Sequence, residues 1–296
     1  MGIVNTYYLL KKYVDNALST PLYLENANNT EAEVWIGFNN IDAHNFKYST
    51  DNVNWTTTVP NIPAGGRVYI KATATHWGDN DIWQNKLNSS QPFNVGGNIL
   101  SLFYGDYFTG AETTFPDPTR EYILGGLFSQ TGVIDASELM IPVQYMPAWC
   151  CRSMFLGCEL LTAGIASLPA TQLGHHCYNG MYENAPAMTT ANTVLPALHV
   201  PQNAYEGMYA HCADLANPVE IMAETGANNG MAYMFSDCVS MTSITVHLNS
   251  WDNGVTNIWM ERMTGTNGTI TKPAALTIPS DSESGCPTGW TTADIQ

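Results

Sequence analysis

Residues 177–198 read CYNGMYENAPAMTTANTVLPAL, and laying this stretch on the rest of the chain decides the architecture. A ruler of large apolar residues recurs at Leu127, Met154, Met181, Met208, Met234 and Met263, in steps of 27, 27, 27, 26 and 29. One place on stand Phe128, Phe155, Tyr182, Tyr209 and Phe235, with Thr264 last. Seven places on stand Ile134, Leu161, Met188, Leu215, Met241 and Ile270. Fourteen places on stand Ile141, Leu168, Leu195, Met222 and Leu248, the first three followed by proline. A unit this short cannot bury its own apolar face, so units must stack and share one core.

The spacing inside the unit predicts local structure. Cys177, Tyr178, Met181 and Tyr182 are three and four apart, the stripe of one or two helical turns. The apolar, proline-stopped stretch through Leu195 suits a brief strand. The buried set is then Met154, Phe155, Cys158, Leu161 and Leu168 in the second unit and Met181, Tyr182, Met188 and Leu195 in the third. The fourth supplies Met208, Tyr209, Cys212 and Leu215, and the fifth Met234, Phe235, Cys238 and Met241. The terminal unit should deviate because it caps the stack, with the PTGW stretch (287–290) closing the end.

Seven cysteines invite redox or metal chemistry. Cys158, Cys212 and Cys238 share a column with Ala185, so the position asks for a small buried residue. An odd count in a long chain also favours free thiols. His175-His176-Cys177 and His211-Cys212 lack the paired spacing of zinc sites. Asp79-Asn80-Asp81 and Asp281-Ser282-Glu283 do not continue as calcium loops. No catalytic or nucleotide-binding motif occurs, so no catalytic residue, metal or cofactor is expected.

Ahead of the repeats lie two further segments. Ile3, Tyr7, Leu10, Val14 and Ala17 step by four, three, four and three, an a/d seam ended by Thr20-Pro21. The seam predicts a helix over residues 1–19 that either packs on its own domain or anchors and oligomerises the chain. Residues 20–106 alternate in strand fashion at Val34, Ile36 and Phe38, at Phe46 and Tyr48, and at Val68, Ile70 and Ala72. Turns between them suggest an antiparallel β-sandwich-like domain. Trp35, Trp55, Trp77 and Trp83 suit its core more readily than a carbohydrate platform. Residues 107–296 complete the expected fold as a mixed α/β, leucine-rich-repeat-like solenoid with a C-terminal cap.

Of 296 residues only 12% are charged, and the formal net charge is −16. Some −4 of it falls through Arg120 and −12 beyond. Phosphate-neutralising clusters are missing, so nucleic acid is not an expected partner, and anionic lipid would repel the surface. No apolar run is long enough for a membrane span, and MGIVNTYYLLKKYVDNAL lacks the layout of a secretion signal. That pattern is expected of a protein folded in a cytoplasm.

The unit quoted above resembles the BspA-like leucine-rich repeats of cell-surface proteins and phage fibres, over about residues 121–279. KYSTDNVNWTTT, IPAGGRVYIKA and FNVGGNILSLFYGD are similar to the β domain preceding such repeats in gut bacteria and their tailed phages. The fourth and fifth units replace Leu-Pro-Ala with Met222-Ala223 and Leu248-Asn249, so coil geometry should vary towards the C-terminus. The resemblance implies a right-handed solenoid of short strands and helical turns, without catalytic residues. It implies adhesion or a virion fibre; with no secretion signal in the sequence, the expectation is a phage virion structural protein, a head fibre on the capsid, with a tail fibre or a bacterial surface adhesin as alternatives. A homo-oligomer, by preference a trimer, would dock to a capsid or other virion protein through residues 1–19. Its outer partner would be a cell-surface glycan or protein. The place of work would be the virion surface after synthesis in the host cytoplasm, or alternatively a bacterial cell surface.

Overall fold

The computed structural model describes residues 18–37, 45–74, 86–252, 254–263, 266–280 and 283–296. The seam Ile3, Tyr7, Leu10, Val14 and Ala17 lies outside the described residues, as do Phe38, Trp77, Trp83, Asp79 to Asp81, Thr264, Asp281 and Ser282.

The first part is built from β1 (Tyr23–Asn26), β2 (Val34–Gly37), β3 (Lys47–Ser49), β4 (Arg67–Lys71), β5 (Lys86–Ser89) and β6 (Phe93–Asn98). Alternation works as expected in β4, where Val68 and Ile70 are fully buried between half-exposed neighbours. The main sheet runs β3-β4-β1-β6-β7, antiparallel until β6, which pairs in parallel with β7 (Val133–Met140) of the first repeat. Strands β2 and β5 form a separate antiparallel pair. The N-terminal sheet therefore runs into the repeats and covers their first coil, with Leu87 N–H bonded to the carbonyl of Leu127. Trp35 does not fill a core: it is 62% exposed on β2, and Trp55 is half-buried under the Lys71 ammonium.

The repeats are a β-solenoid of about six turns, which overturns the mixed α/β expectation. Strands β10 (Val194–Leu195), β12 (Val219–Ile221), β14 (Ser243–Val246), β15 (Gly268–Lys272) and β16 (Trp290–Asp294) stack as one parallel ladder. A second face carries the parallel pairs of β8 (Tyr145–Met146) with β9 (Gln172–Leu173) and of β11 (His199–Val200) with β13 (Thr225–Gly226).

The third face replaces the expected helical turns. In residues 176–185 the N–H groups of Asn179, Met181, Glu183 and Ala185 bond three residues back. Those of His176, Tyr178, Gly180, Tyr182 and Asn184 bond instead to carbonyls of the next coil, at Gln202, Ala204, Glu206, Met208 and Ala210. The segment is a ribbon of linked β-turns whose donors alternate between its own chain and its neighbour. A helix would keep every such donor within one segment and leave none for stacking. Every fourth residue is left-handed, as at His176, Gly180 and Asn184 or Asn203, Gly207 and His211. That conformation costs an L-residue about 1–2 kcal/mol and cannot occur inside an α-helix. A four-residue period still brings positions i and i+4 to one side, which is why the apolar spacing mimics a helix.

The inward side of the ribbon is a ladder of rings. Phe128, Phe155, Tyr182, Tyr209 and Phe235 stack at 5.3, 5.5, 5.7 and 5.6 Å, with planes within 15° of parallel. The cysteine column beside it does more than fill space. Cys158, Cys212 and Cys238 donate their thiols to the carbonyls of Phe128, Tyr182 and Tyr209 one coil back, at 2.9, 3.1 and 3.0 Å.

The last coil departs from the ruler. Phe235 N–H bonds to Trp259 O where Tyr209 N–H bonds to Met234 O, so Trp259 holds the ruler position after a step of 25. Met263 moves to the cysteine column, and Ile270 pairs with Ile244 rather than following Met241. Trp259 ends the ring ladder edge-on against Phe235, with its indole N–H on Gly285 O at 2.8 Å. Trp290 of the PTGW stretch enters β16 and bonds Thr266 Oγ1.

Gly207 isolates the backbone requirement. Its φ is +60°, and a Cβ there would meet nothing closer than 3.9 Å. Gly207→Ala should lower unfolding stability by about 1 kcal/mol, and Gly207→Asn by less than half of that, because asparagine tolerates the left-handed region. Denaturant titration checks both.

Candidate interaction surface

Burial assigns the two sides of the ribbon. The predicted core residues Met154, Phe155, Cys158, Leu161, Leu168, Met181, Tyr182, Met188, Leu195, Met208, Tyr209, Cys212, Leu215, Met234, Phe235, Cys238 and Met241 all point inward and are buried. Residues between them form outward columns, one member per coil.

One outward column is aromatic at its start. Tyr122 stacks on Trp149 at 5.2 Å, and Trp149 stacks on His176 at 3.6 Å. Arg152 lies over the Trp149 ring at 4.9 Å. The column continues as Asn203 and Asn229, where an acid–amide network begins: Glu206 Oε2 accepts from Asn179 Nδ2 at 2.8 Å and from Asn203 Nδ2 at 2.5 Å.

A parallel column holds Gln130, Gly157, Asn184, His211, Asp237 and Arg262, all with positive φ. His211 Nδ1 lies 2.8 Å from Asp237 Oδ2, and Arg262 Nη1 donates to the same oxygen at 3.0 Å. The strand face repeats the scheme with His247 Nε2 beside Glu220 Oε1 at 2.8 Å and Lys272 Nζ on Asp294 at 2.7 Å. Each of these four basic groups meets an acid one coil away.

The suspected zinc groups do not converge. His175 and His176 sit Nδ1 to Nδ1 at 3.1 Å on the outward side, while Cys177 is fully buried behind them. Cys212 likewise faces the core and His211 the outside, and burial pushes the Cys212 thiol up to about 12. Among the described residues no group of three or more His, Cys, Asp and Glu could hold a metal ion. None of their helices is long and apolar enough to cross a membrane.

At the junction of the two parts, Tyr23 OH donates to Glu138 on β7, and Arg67 pairs with Glu25 while lying 4.1 Å over the Tyr23 ring. This polar bolt joins β1, β4 and β7, and neither its residues nor the outward columns were singled out from sequence. The signal available for the columns was Gly, Asn, Ser or Asp recurring every fourth place, as in Ser153-x-x-x-Gly157 and Gly180-x-x-x-Asn184.

No family model, curated protein or solved structure matches the chain.

His176 makes the surface stack sensitive to acid. Burial, then His175 and Arg152, hold its pKa down at about 4, against an ordinary 6.5. The folded chain thus binds fewer protons than the unfolded one between those values, and stability falls as pH drops from about 6.5 to about 4. Thermal melts across that range should show His176→Phe, which keeps a ring on Trp149, losing less stability than the parent.

Proposed function

We propose that the chain is a structural, non-enzymatic protein that presents the outside of its solenoid, working as a short phage head fibre. The carrying observation is the division of the repeat: the Phe128-to-Phe235 ring ladder, the ruler methionines and the thiols are committed to the interior. What remains outside is a set of columns, mostly polar and aromatic at the start of one of them, repeated at the spacing of the coils, roughly 4.8 Å. A partner meeting such a surface is offered the same kind of contact several times over, which suits adhesion more than turnover. The sheet shared by β6 and β7 supports the reading by tying stem and repeats together. Likeness of the repeat unit to BspA-like repeats of phage fibres supports it from the sequence side.

In this reading residues 1–19 attach the fibre to a capsid or other virion protein and associate three copies. The outer columns engage a cell-surface glycan or protein. A tail fibre or a bacterial surface adhesin would share the display and differ in what holds the stem.

Mass photometry tests the fibre reading. The full chain should weigh three times 32.4 kDa, and a chain lacking residues 1–19 the mass of one truncated chain, below 32.4 kDa. One chain mass for both would remove the self-assembling fibre.

A further inference from the structure

The column from Gln130 to Arg262 is continuous except at Gly157, where a side chain is missing between Gln130 and Asn184. An open cleft of about 780 Å³ lies there, lined by Gln130, Gly157, Glu159, Leu160, Glu183 and Asn184 among others. A Cβ on Gly157 would meet only Gln130 Cγ, at 3.2 Å. Glu183 is partly buried, and among the described residues no donor hydrogen-bonds its carboxylate. Burial raises its carboxyl above the ordinary value, with His211 and Arg152 opposing. Leu160 is 48% exposed beside it. Lys86 Nζ approaches Gln130 Oε1 at 3.5 Å from the neighbouring sheet.

We infer that this notch is a docking site for an arginine side chain of a partner protein. The same column already shows the chemistry four coils further on, where Arg262 donates to Asp237 beside His211. An arginine entering at Gly157 takes the place of the missing ladder member. Its planar guanidinium fits between the amides of Gln130 and Asn184, which offer oxygen acceptors. Glu159 and Glu183 supply the countercharge, and the alkyl stem lies along Leu160. Lysine, a compact point charge, would satisfy one acceptor rather than a fork of them. A sugar ring would want an aromatic face, and the cleft offers leucines. The repeat half carries most of the −16 net charge and draws a basic partner towards it.

This inference rests on the presented-surface reading but not on trimerisation, so its failure leaves the mass measurement untouched. Fluorescence anisotropy of the full chain with labelled hexa-arginine, hexa-lysine and hexa-citrulline peptides at physiological salt tests it. Arginine should bind at least about fivefold tighter than lysine, and citrulline should not bind. Gly157→Gln fills the notch with the residue that column already accepts at Gln130, and should weaken arginine binding about tenfold. Glu159→Gln with Glu183→Gln should do the same without adding bulk, while Glu224→Gln on the strand face should change nothing. Thermal melts confirm that each variant folds. Equal binding of arginine and lysine peptides, or parental affinity in the notch variants, overturns the proposal.

Discussion

Everything in the repeat half depends on how the ribbon divides its backbone donors. Alternate N–H groups close β-turns within a coil, and the others reach the next coil. Neither set alone makes a stable element: the turns lack a core and the cross-coil bonds lack a regular strand. Together they satisfy the buried backbone, which the interior requires. The division also fixes the side chains. Two inward places alternate with two outward ones, so rings stack on rings and thiols meet carbonyls one coil back. Left-handed residues are the cost, at roughly 1–2 kcal/mol each where the residue is not glycine.

Much of the interior was legible in the sequence, because a coil of nearly constant length writes its core as columns. Met154, Met181, Met208 and Met234 align by subtraction alone. The ribbon was not legible as such: a four-residue turn period and a helix both bring Cys177 and Met181 to one side, and only the left-handed residues tell them apart. The last coil was misread because Met263 matches the ruler chemically, while hydrogen bonding selects Trp259. The N-terminal strands in Val68 and Ile70 followed from alternation, but the parallel union of β6 with β7 did not, since pairing between distant segments leaves no periodic trace. The notch at Gly157 was illegible for a related reason: it consists of a missing side chain, bounded by residues 27 places away on either side.

Charge follows the same geometry. With ten basic residues against 26 acidic ones, most carboxylates lack a partner cation. Two cations of the solenoid are placed against acids in the adjacent coil, Arg262 on Asp237 and Lys272 on Asp294, while Arg152 lies over the Trp149 ring. Such exposed pairs add little stability, about 0.2–1 kcal/mol each, and fall with salt. Their main effect is to mark where the surface is already neutralised. The cleft beside Glu159 and Glu183 is one of the places where it is not.

The coil length also changes in a telling place. Ala216 N–H bonds to Thr189 O across 27 residues, but Val194 pairs with Glu220 across 26. One residue has been dropped at the corner around Asn217-Pro218, and none inside the ribbon of that coil. A single residue lost within the ribbon would turn half of the inward places outward and exchange the two classes of donor. At a corner the same loss shortens a loop. The repeat is therefore free to drift in length and composition at its corners while its turn ribbon holds the frame, and lineages or designers can add whole coils or trim corners without disturbing the ladder.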